Sequence, residues 1–424
     1  MFLRIFNLFW SSVLILSSAA GCTLPGTNTN TAAPVVTNYG VIKVIDQGNK
    51  KQIGAVNFLE QKDFESGETN TDRGLSKVTN GSIFLGKNKN EYYLVSQKQG
   101  IYHTENAGEL WRRIYVFSLE SFKDTPEERA VERDNQVAKN NQFNISGFII
   151  DPNDPNIMYV SGLYGTIGKI YKSSNKGKTF EEKYSEVNPE VAVTRVTVNP
   201  NNSFEIYAVL GANTIIRSTD GGSTWQKTFT FTEGGAVSQF GFIPELNNIF
   251  WVFQAQGGLS TSIDSGNTWT KIKMVRQSAA STENPNKDTF DTQSTDTFSS
   301  GAKSESSVGF GNFERFIPIK SKIGDFMMLA DKQLWVTNGL DQPWKKVNLP
   351  LQGDQSTITA VEPDPKDGID KIYLTIGNKL FLSQNRGESW SSETLPITVP
   401  VVKIVIDPND TGVLYMSLGA NQQN

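Results

Sequence analysis

From about residue 38 onward, short apolar runs alternate with clusters of turn-forming polar residues. One unit displays the order in full. Phe148, Ile149 and Ile150 precede a polar turn over 151–156, then come Ile157, Met158, Tyr159 and Val160, and then Lys169, Ile170, Tyr171 and Lys172. Runs of this length bounded by Asp, Asn, Pro and Gly read as strands. The third run leads into a second kind of turn, S/T-x-D/N-x-G-x-x-W/F, whose aromatic residue opens a fourth run. Copies of that turn are built on Thr104, Asn106, Gly108 and Trp111; Ser173, Asn175, Gly177 and Phe180; Ser218, Asp220, Gly222 and Trp225; Ser262, Asp264, Gly266 and Trp269; and Ser383, Asn385, Gly387 and Trp390. A sixth, at Thr337, Asp341 and Trp344, keeps the aromatic and loses the rest.

Each residue type has a local reason to be there. Asp or Asn beside Ser or Thr can hydrogen-bond the backbone of its own turn. Gly permits a positive φ, and the aromatic can fill the space between neighbouring sheets. The aromatics recur at 45 and 44 residues from Phe180 to Trp225 to Trp269, and at 46 from Trp344 to Trp390. Four short strands in a repeat of that length is the pattern of a β-propeller blade. Six units are complete: 81–117, 146–184, 194–231, 236–274, 308–347 and 357–394. The C-terminal end supplies two further runs, 401–406 and 413–417, and stops there. The N-terminal end supplies what is missing: a run at 40–45, a decayed turn at Asp46 and Gly48, and a run at 53–56. Joining them predicts an all-β, seven-bladed propeller of four-stranded blades. In its seventh blade the first and second strands come from the C-terminus and the third and fourth from the N-terminus. Closure of this kind removes the sheet edges an open arc would leave.

Three connections are much longer than the rest, 59–80, 118–145 and 275–307, and all join the last strand of one blade to the first of the next. Strand direction alternates within a blade, so these insertions share one face, opposite the S/T-x-D/N turns. Thr125, Pro126 and Glu128 form a capping box with Pro at the first helical position, predicting a helix from Pro126 to about Lys139. The 275–307 insertion is rich in Ser, Thr and Asp and reads as disordered. Together the three carry 16 acidic and 10 basic residues, a net −6 in a chain of net −4. This fits either a solvated rim or a docking face for a cationic or polar partner.

The first residues follow another logic. Arg4 precedes an apolar stretch over 5–16 and a small-residue end over 17–21, the three-part pattern of an export signal. Cys22, the single cysteine of the chain, follows at once. This resembles a bacterial lipobox, which implies removal of 1–21 and lipidation of Cys22. The polar stretch 22–37 then reads as a lipidated cysteine and flexible tether, with 38–424 as the propeller. The resemblance implies an extracytoplasmic body anchored to the membrane at the cell envelope.

Composition narrows the chemistry. One Cys and one His exclude an internal disulfide framework and His- or Cys-rich metal centres, and no metal or cofactor is expected. His103, beside Thr104, reads as a hydrogen-bonded surface or inter-blade histidine. A net charge of −4 argues against a nucleic-acid partner.

The repeated turn resembles the Asp-box, or bacterial neuraminidase (BNR), repeat. Sialidases of that kind carry an arginine triad and an Arg-Ile-Pro motif in the first blades. Arg315, Phe316, Ile317 and Pro318 are a scrambled version in a late blade, so no sialidase site is assigned. Runs such as 151–160 resemble those of sortilin-type propellers and of xyloglucan-degrading hydrolases. Hydrolysis of that kind needs a pair of carboxylates. Asp63, Asp72 and Glu128 lie on the insertion face, but no spacing singles out a pair. The chain is also similar to the photosystem II stability/assembly factor type, another seven-bladed Asp-box propeller. No catalytic residue is assigned. The expectation is a monomeric scaffold that binds a protein partner at the envelope, with a carbohydrate-active protein, hydrolase or glycan-binding, as the alternative.

Overall fold

A computed structural model describes residues 41–46, 51–55, 59–60, 81–88, 90–107, 110–117, 125–243, 246, 249–277, 309–350 and 357–419. Cys22, the tether, Gly48, Asp63, Asp72 and Gly108 lie outside the described residues, as does most of 59–80 and 275–307. Seven antiparallel sheets follow one another along the chain. The first strands of the blades are Ser82–Leu85, Phe143–Ile150, Val193–Asn199, Val237–Ile243, Phe313–Pro318, Ile358–Asp364 and Val401–Ile406. They approach one another from blade to blade and so ring the axis. The seventh sheet runs from Val401–Ile406 through Val413–Leu418 and Val41–Asp46 to Lys51–Ala55. Ile42 lies opposite Met416 and Val44 opposite Leu414, so the two chain ends share one blade, as the sequence predicts.

The core is divided as the fold requires. Seven buried clusters occur among the described residues, each drawing on two neighbouring blades. Ile42 and Val44 pack with Tyr373 and Leu382 of the sixth blade, whereas Val41 packs with Leu94 and Trp111 of the first. The ring is therefore closed by packing on both sides of the shared blade. Alternation of side chains across each sheet supplies both clusters from one strand.

Three departures from the sequence reading concern the insertions. Leu59–Glu60 is a short strand that pairs in parallel with Leu110 and Trp111, adding a fifth strand to the first blade. Farther along, Arg276 bridges in parallel to Trp344, with Trp344 N donating to Val275 O at 2.8 Å and Gln277 N to Trp344 O at 2.9 Å. Where the preceding segment lies along the outer strand, the aromatic is fully covered: Trp111 is 2% and Trp344 0% exposed. Phe180, Trp225, Trp269 and Trp390, along which no such segment lies among the described residues, stay half-buried. The end of the second insertion is also strand, since the first strand of blade two begins at Phe143 rather than at 146. The helix spans Pro126–Asn141, with the capping box at Thr125 and Glu128 in place.

Candidate functional site

The repeated turns are closed by their own side chains. Ser173 Oγ donates to Asn175 Oδ1 at 2.9 Å and accepts from Gly177 N at 2.8 Å, while Thr179 N donates to Asn175 Oδ1 at 2.9 Å. The same bonds recur at Ser218, Asp220, Gly222 and Thr224, at Ser262, Asp264, Gly266 and Thr268, and at Ser383, Asn385, Gly387 and Ser389. Gly177, Gly222, Gly266 and Gly387 have φ between +76° and +95°, a region costly for any residue with a Cβ. In the first blade Thr104 Oγ1 donates to Asn106 Oδ1 at 2.8 Å. Thr224 and Thr268 donate from both hydroxyl and backbone, holding Asp220 and Asp264 down at about 2. Trp225 Nε1 donates to Lys183 O at 3.0 Å and Trp390 Nε1 to Asn348 O at 2.7 Å, tying each aromatic to the blade before it. With oxygens and rings so engaged, these turns are built to hold blades together.

Where the first and second blades meet, a polar cluster forms that the sequence reading did not assemble. Glu91, at the entrance to strand Tyr92–Ser96, and His103, on Gly100–Thr104, are 2% and 3% exposed. His103 Nε2 lies 3.1 Å from Glu91 Oε1, and Arg112 Nη2 lies 3.3 Å from His103 Nδ1. Guanidinium can only donate, so Nδ1 accepts and the proton sits on Nε2, facing Glu91. Lys176, from the blade-two turn, brings Nζ to 3.5 Å from Glu91 and 4.0 Å from Glu105. Glu91, His103 and Glu105 offer three possible metal ligands within 4.8 Å of one another. The donor chemistry does not suit a cation, though. The Lys176 ammonium neutralises the carboxylates, and a ligand histidine normally donates from its second nitrogen rather than accepting there. A similar arrangement recurs in blade three. Glu205 accepts from Tyr207 at 2.6 Å and pairs with Arg217 at 2.5 Å, and Tyr207 OH also reaches Ser265 O of blade four at 3.1 Å. These clusters latch one blade to the next.

A second set of polar residues rings the axis. In most blades the first strand bulges, and the residue just after the bulge is Gly147, Arg195, Gln239, Arg315, Ala360 or Lys403. Four of these side chains bond the inner-strand backbone of the following blade. Arg195 Nε donates to Val237 O at 3.3 Å, Gln239 Oε1 accepts from Phe316 N at 2.7 Å, Arg315 Nη1 donates to Val361 O at 2.8 Å, and Lys403 Nζ donates to Ile83 O at 2.9 Å. An innermost strand pairs on one edge only, so its other edge leaves backbone groups facing the axis. Gly147 occurs where two inner strands touch, since a Cβ there would lie 3.0 Å from Val196 N and 3.1 Å from Arg195 Cα. Arg315 also pairs with Glu362 at 2.9 Å. The Arg315 to Pro318 string thus joins blades.

On the face bearing the insertions, two insertion bases are described. The helix is tied down at its end by Asn140, whose Oδ1 accepts from Val116 N and Phe117 N and whose Nδ2 donates to Phe117 O. Glu128 is spent in the helix cap. The base of the third insertion converges on Asp331, in the turn after strand Phe326–Ala330. Asp331 Oδ1 accepts from Asn312 N at 2.8 Å and Gly311 N at 3.2 Å, and Oδ2 pairs with Arg276, so one carboxylate holds both ends. The Arg276 guanidinium lies 4.7 Å from the Phe310 ring and 5.1 Å from that of Trp335. Replacing Asp331 with Ala removes charge-assisted bonds of about 1.5–3 kcal/mol each. In D331A, tryptic cleavage after Arg276 should rise at least tenfold, while the global unfolding midpoint moves little. An unchanged cleavage rate would show that Asp331 does not hold the insertion's ends.

The fold and these contacts define a seven-bladed β-propeller whose recurring polar residues link blade to blade. No protein-family model matches the chain. Xyloglucanase Xgh74A of Acetivibrio thermocellus is 25% identical over 190 residues, which are 41% of this chain and 20% of that enzyme. Among solved structures, the GH74 enzyme of Niastella koreensis superposes with a TM-score of 0.54 at 17% identity, covering 80% of this chain and 50% of its own. The GH74 xyloglucanase from Xanthomonas campestris gives 0.55 at 14%, covering 79% and 50%. YCF48 bound to D1 peptide gives 0.51 at 11%, covering 80% of this chain and 94% of that one. The chain spans a fifth of the xyloglucanase it matches and half of the GH74 structures. At these identities the structural likeness carries the fold.

Proposed function

We propose that this chain is a lipid-anchored, extracytoplasmic Asp-box propeller that serves as a protein-binding scaffold through the face bearing its insertions. The carrying observation is that the described insertion bases are fixed to the ring, one by Asn140 and the other by Asp331. Anchored bases fix where each insertion leaves the ring, as recognition loops on a rigid scaffold require. YCF48, a propeller covered almost end to end by this chain, is a peptide-bound relative in fold, which supports the scaffold reading. Anchorage rests on the sequence around Cys22. The test is capture from solubilised native envelope with the full chain tagged at its C-terminus, beside a variant with 278–308 replaced by a short Gly/Ser linker. A reproducible protein partner held by the full chain and lost with the shortened one is expected. Equal capture by both would overturn the assignment of the face. In parallel, Cys22→Ser should move the protein from membrane to soluble fractions, and retention in the membrane would refute the anchor.

The match to Xgh74A favours a second reading, a carbohydrate-active protein. Sugar analysis of the same beads, and incubation of the chain with xyloglucan, would bring it forward if polysaccharide is enriched or cleaved. Among the described residues, one large exposed hydrophobic in six is aromatic, Phe204. The other described rings pack between blades rather than offering a stacking platform for sugars.

A further inference from the structure

We propose that the insertion-bearing face is turned toward the membrane, and that the partner it fits is a protein held in that same membrane by spans or by a lipid of its own. This rests on the anchored-scaffold reading and deepens it by naming the class of partner.

The first ground is where the chain enters the ring. In strand Val41–Asp46, Val41 lies opposite Ser417 and Ile45 opposite Val413. The turn between Ile406 and Val413 therefore stands at the Ile45 end, where Asp46 also pairs with Lys51. Val41 stands at the other end, and so does Ala55, which pairs with Ile42. Paired antiparallel residues have Cα atoms about 4.5–5.5 Å apart. The strand that receives the chain from Cys22 and the strand that leads into the first insertion thus adjoin, end by end. The inner strands run the same way around the axis, since Arg195, Arg315 and Lys403 each bond the matching stretch of the next one, at Val237, Val361 and Ile83. The other two insertions consequently leave from this end as well.

The second ground is reach. Residues 22–40 supply 19 residues between the lipidation site and the ring. Fully extended they span about 65 Å, whereas a polar tether of that length averages about 25 Å. A six-residue strand is about 20 Å long. For the Asp-box turns to meet the bilayer, the tether must pass outside Lys51–Ala55 and run the height of a blade, which consumes most of its average reach. The insertion face meets the bilayer with no detour.

The third ground is charge. The insertions carry 16 acidic and 10 basic residues, a net −6. Anionic lipid surfaces attract basic segments and repel acidic ones, so this face is unsuited to lie on lipid headgroups and is left open to protein. Confining both proteins to one membrane raises the effective concentration of each for the other without any added contact.

The test is site-specific photocrosslinking of the full chain in the cells that make it. Val187 is 87% exposed in the connection from Glu181–Ser185 to Val193–Asn199, on the insertion face, and Ile263 is 89% exposed in an Asp-box turn, on the other. Both can carry p-benzoylphenylalanine without disturbing the core. From Val187 the expected adduct is with a protein that, in cells lacking this chain, stays in the membrane through an alkaline carbonate wash. Ile263 should give at least tenfold less of it. Cys22→Ser, at equal expression, should lower the Val187 adduct at least tenfold, and an unchanged yield from a soluble Cys22→Ser form would overturn the proposal. A partner that washes off the membrane would overturn it too, while leaving the scaffold reading in place. A stronger protein adduct from Ile263 would refute both the orientation and the assignment of the face. Lipid adducts alone, or none from either position, would refute the scaffold reading together with this one.

Discussion

Removing residues 41–55 should abolish cooperative unfolding of the propeller. The strand Val41–Asp46 lies in the middle of its sheet, paired on one side with Val413–Leu418 and on the other with Lys51–Ala55. Val41, Ile42 and Val44 are 2%, 0% and 0% exposed and enter two different inter-blade cores. Full burial of each is worth about 1.5–3 kcal/mol. Their loss together is of the order of the whole stability of a domain, about 5–15 kcal/mol. The deletion would also bare the edge of Val413–Leu418, an open template for aggregation. A milder form is Val44→Asp, which places an unpaired carboxylate at a fully buried site and should remove more than about 3 kcal/mol. Near-ultraviolet circular dichroism on heating is the measurement. A sharp transition at an unchanged midpoint after the deletion would mean that six blades stand without the seventh.

The parts of this architecture that could be read from sequence are those made by near neighbours. A turn such as that at Ser218, Asp220 and Gly222 closes within a few residues, so its chemistry is written contiguously and repeats with the blade. The capping box at Thr125 and Glu128 is local for the same reason. Contacts between distant segments leave fainter marks. Leu59–Glu60 is too short to show periodicity, and only the pairing with Leu110 and Trp111 makes it a strand. Asp331 looks like any turn aspartate until Arg276 and the 311–312 backbone arrive from either side of a long insertion. The axial residues Arg195, Gln239, Arg315 and Lys403 share no residue type, only a place after a bulge, and a bulge is a property of pairing. One signal was available. Glu91 and Glu205 each stand two residues before a tyrosine of a second strand, and both are buried. A glutamate beside a turn reads as solvated, because burial depends on the neighbouring blade.

Replacing Glu91 with Ala should cost about 3–5 kcal/mol, since several donors around a buried carboxylate lose their acceptor at about 1–3 kcal/mol each. The carboxylate accepts from Asn88 Nδ2 at 2.9 Å, His103 at 3.1 Å and Tyr93 OH at 3.2 Å, and Lys176 adds its charge at 3.5 Å. All four lose their acceptor at once, and Arg112 then faces a histidine with no anion behind it. The same cluster sets a pH dependence. Burial lowers His103, with Arg112 adding to the effect against the opposing pull of Glu91, so the imidazole is neutral in the fold. The unfolded chain takes up this proton near 6.5 and the folded one does not, so stability falls as pH drops below about 6.5. Glu91 is raised by burial but lowered more by His103, Asn88 and Lys176, with a net downward shift. Its contribution is present above about 4.5 and is lost as pH falls through the lower folded value. Denaturant unfolding from pH 8 to 4 should therefore show one decline starting near 6.5 and a second below 4.5. His103→Gln should remove the first and Glu91→Gln should flatten the second. A stability profile level from pH 7 to 4.5 in the unmodified protein, or a cost below about 1 kcal/mol for Glu91→Ala, would mean that the first two blades are held together by their apolar contacts and that this cluster adds little.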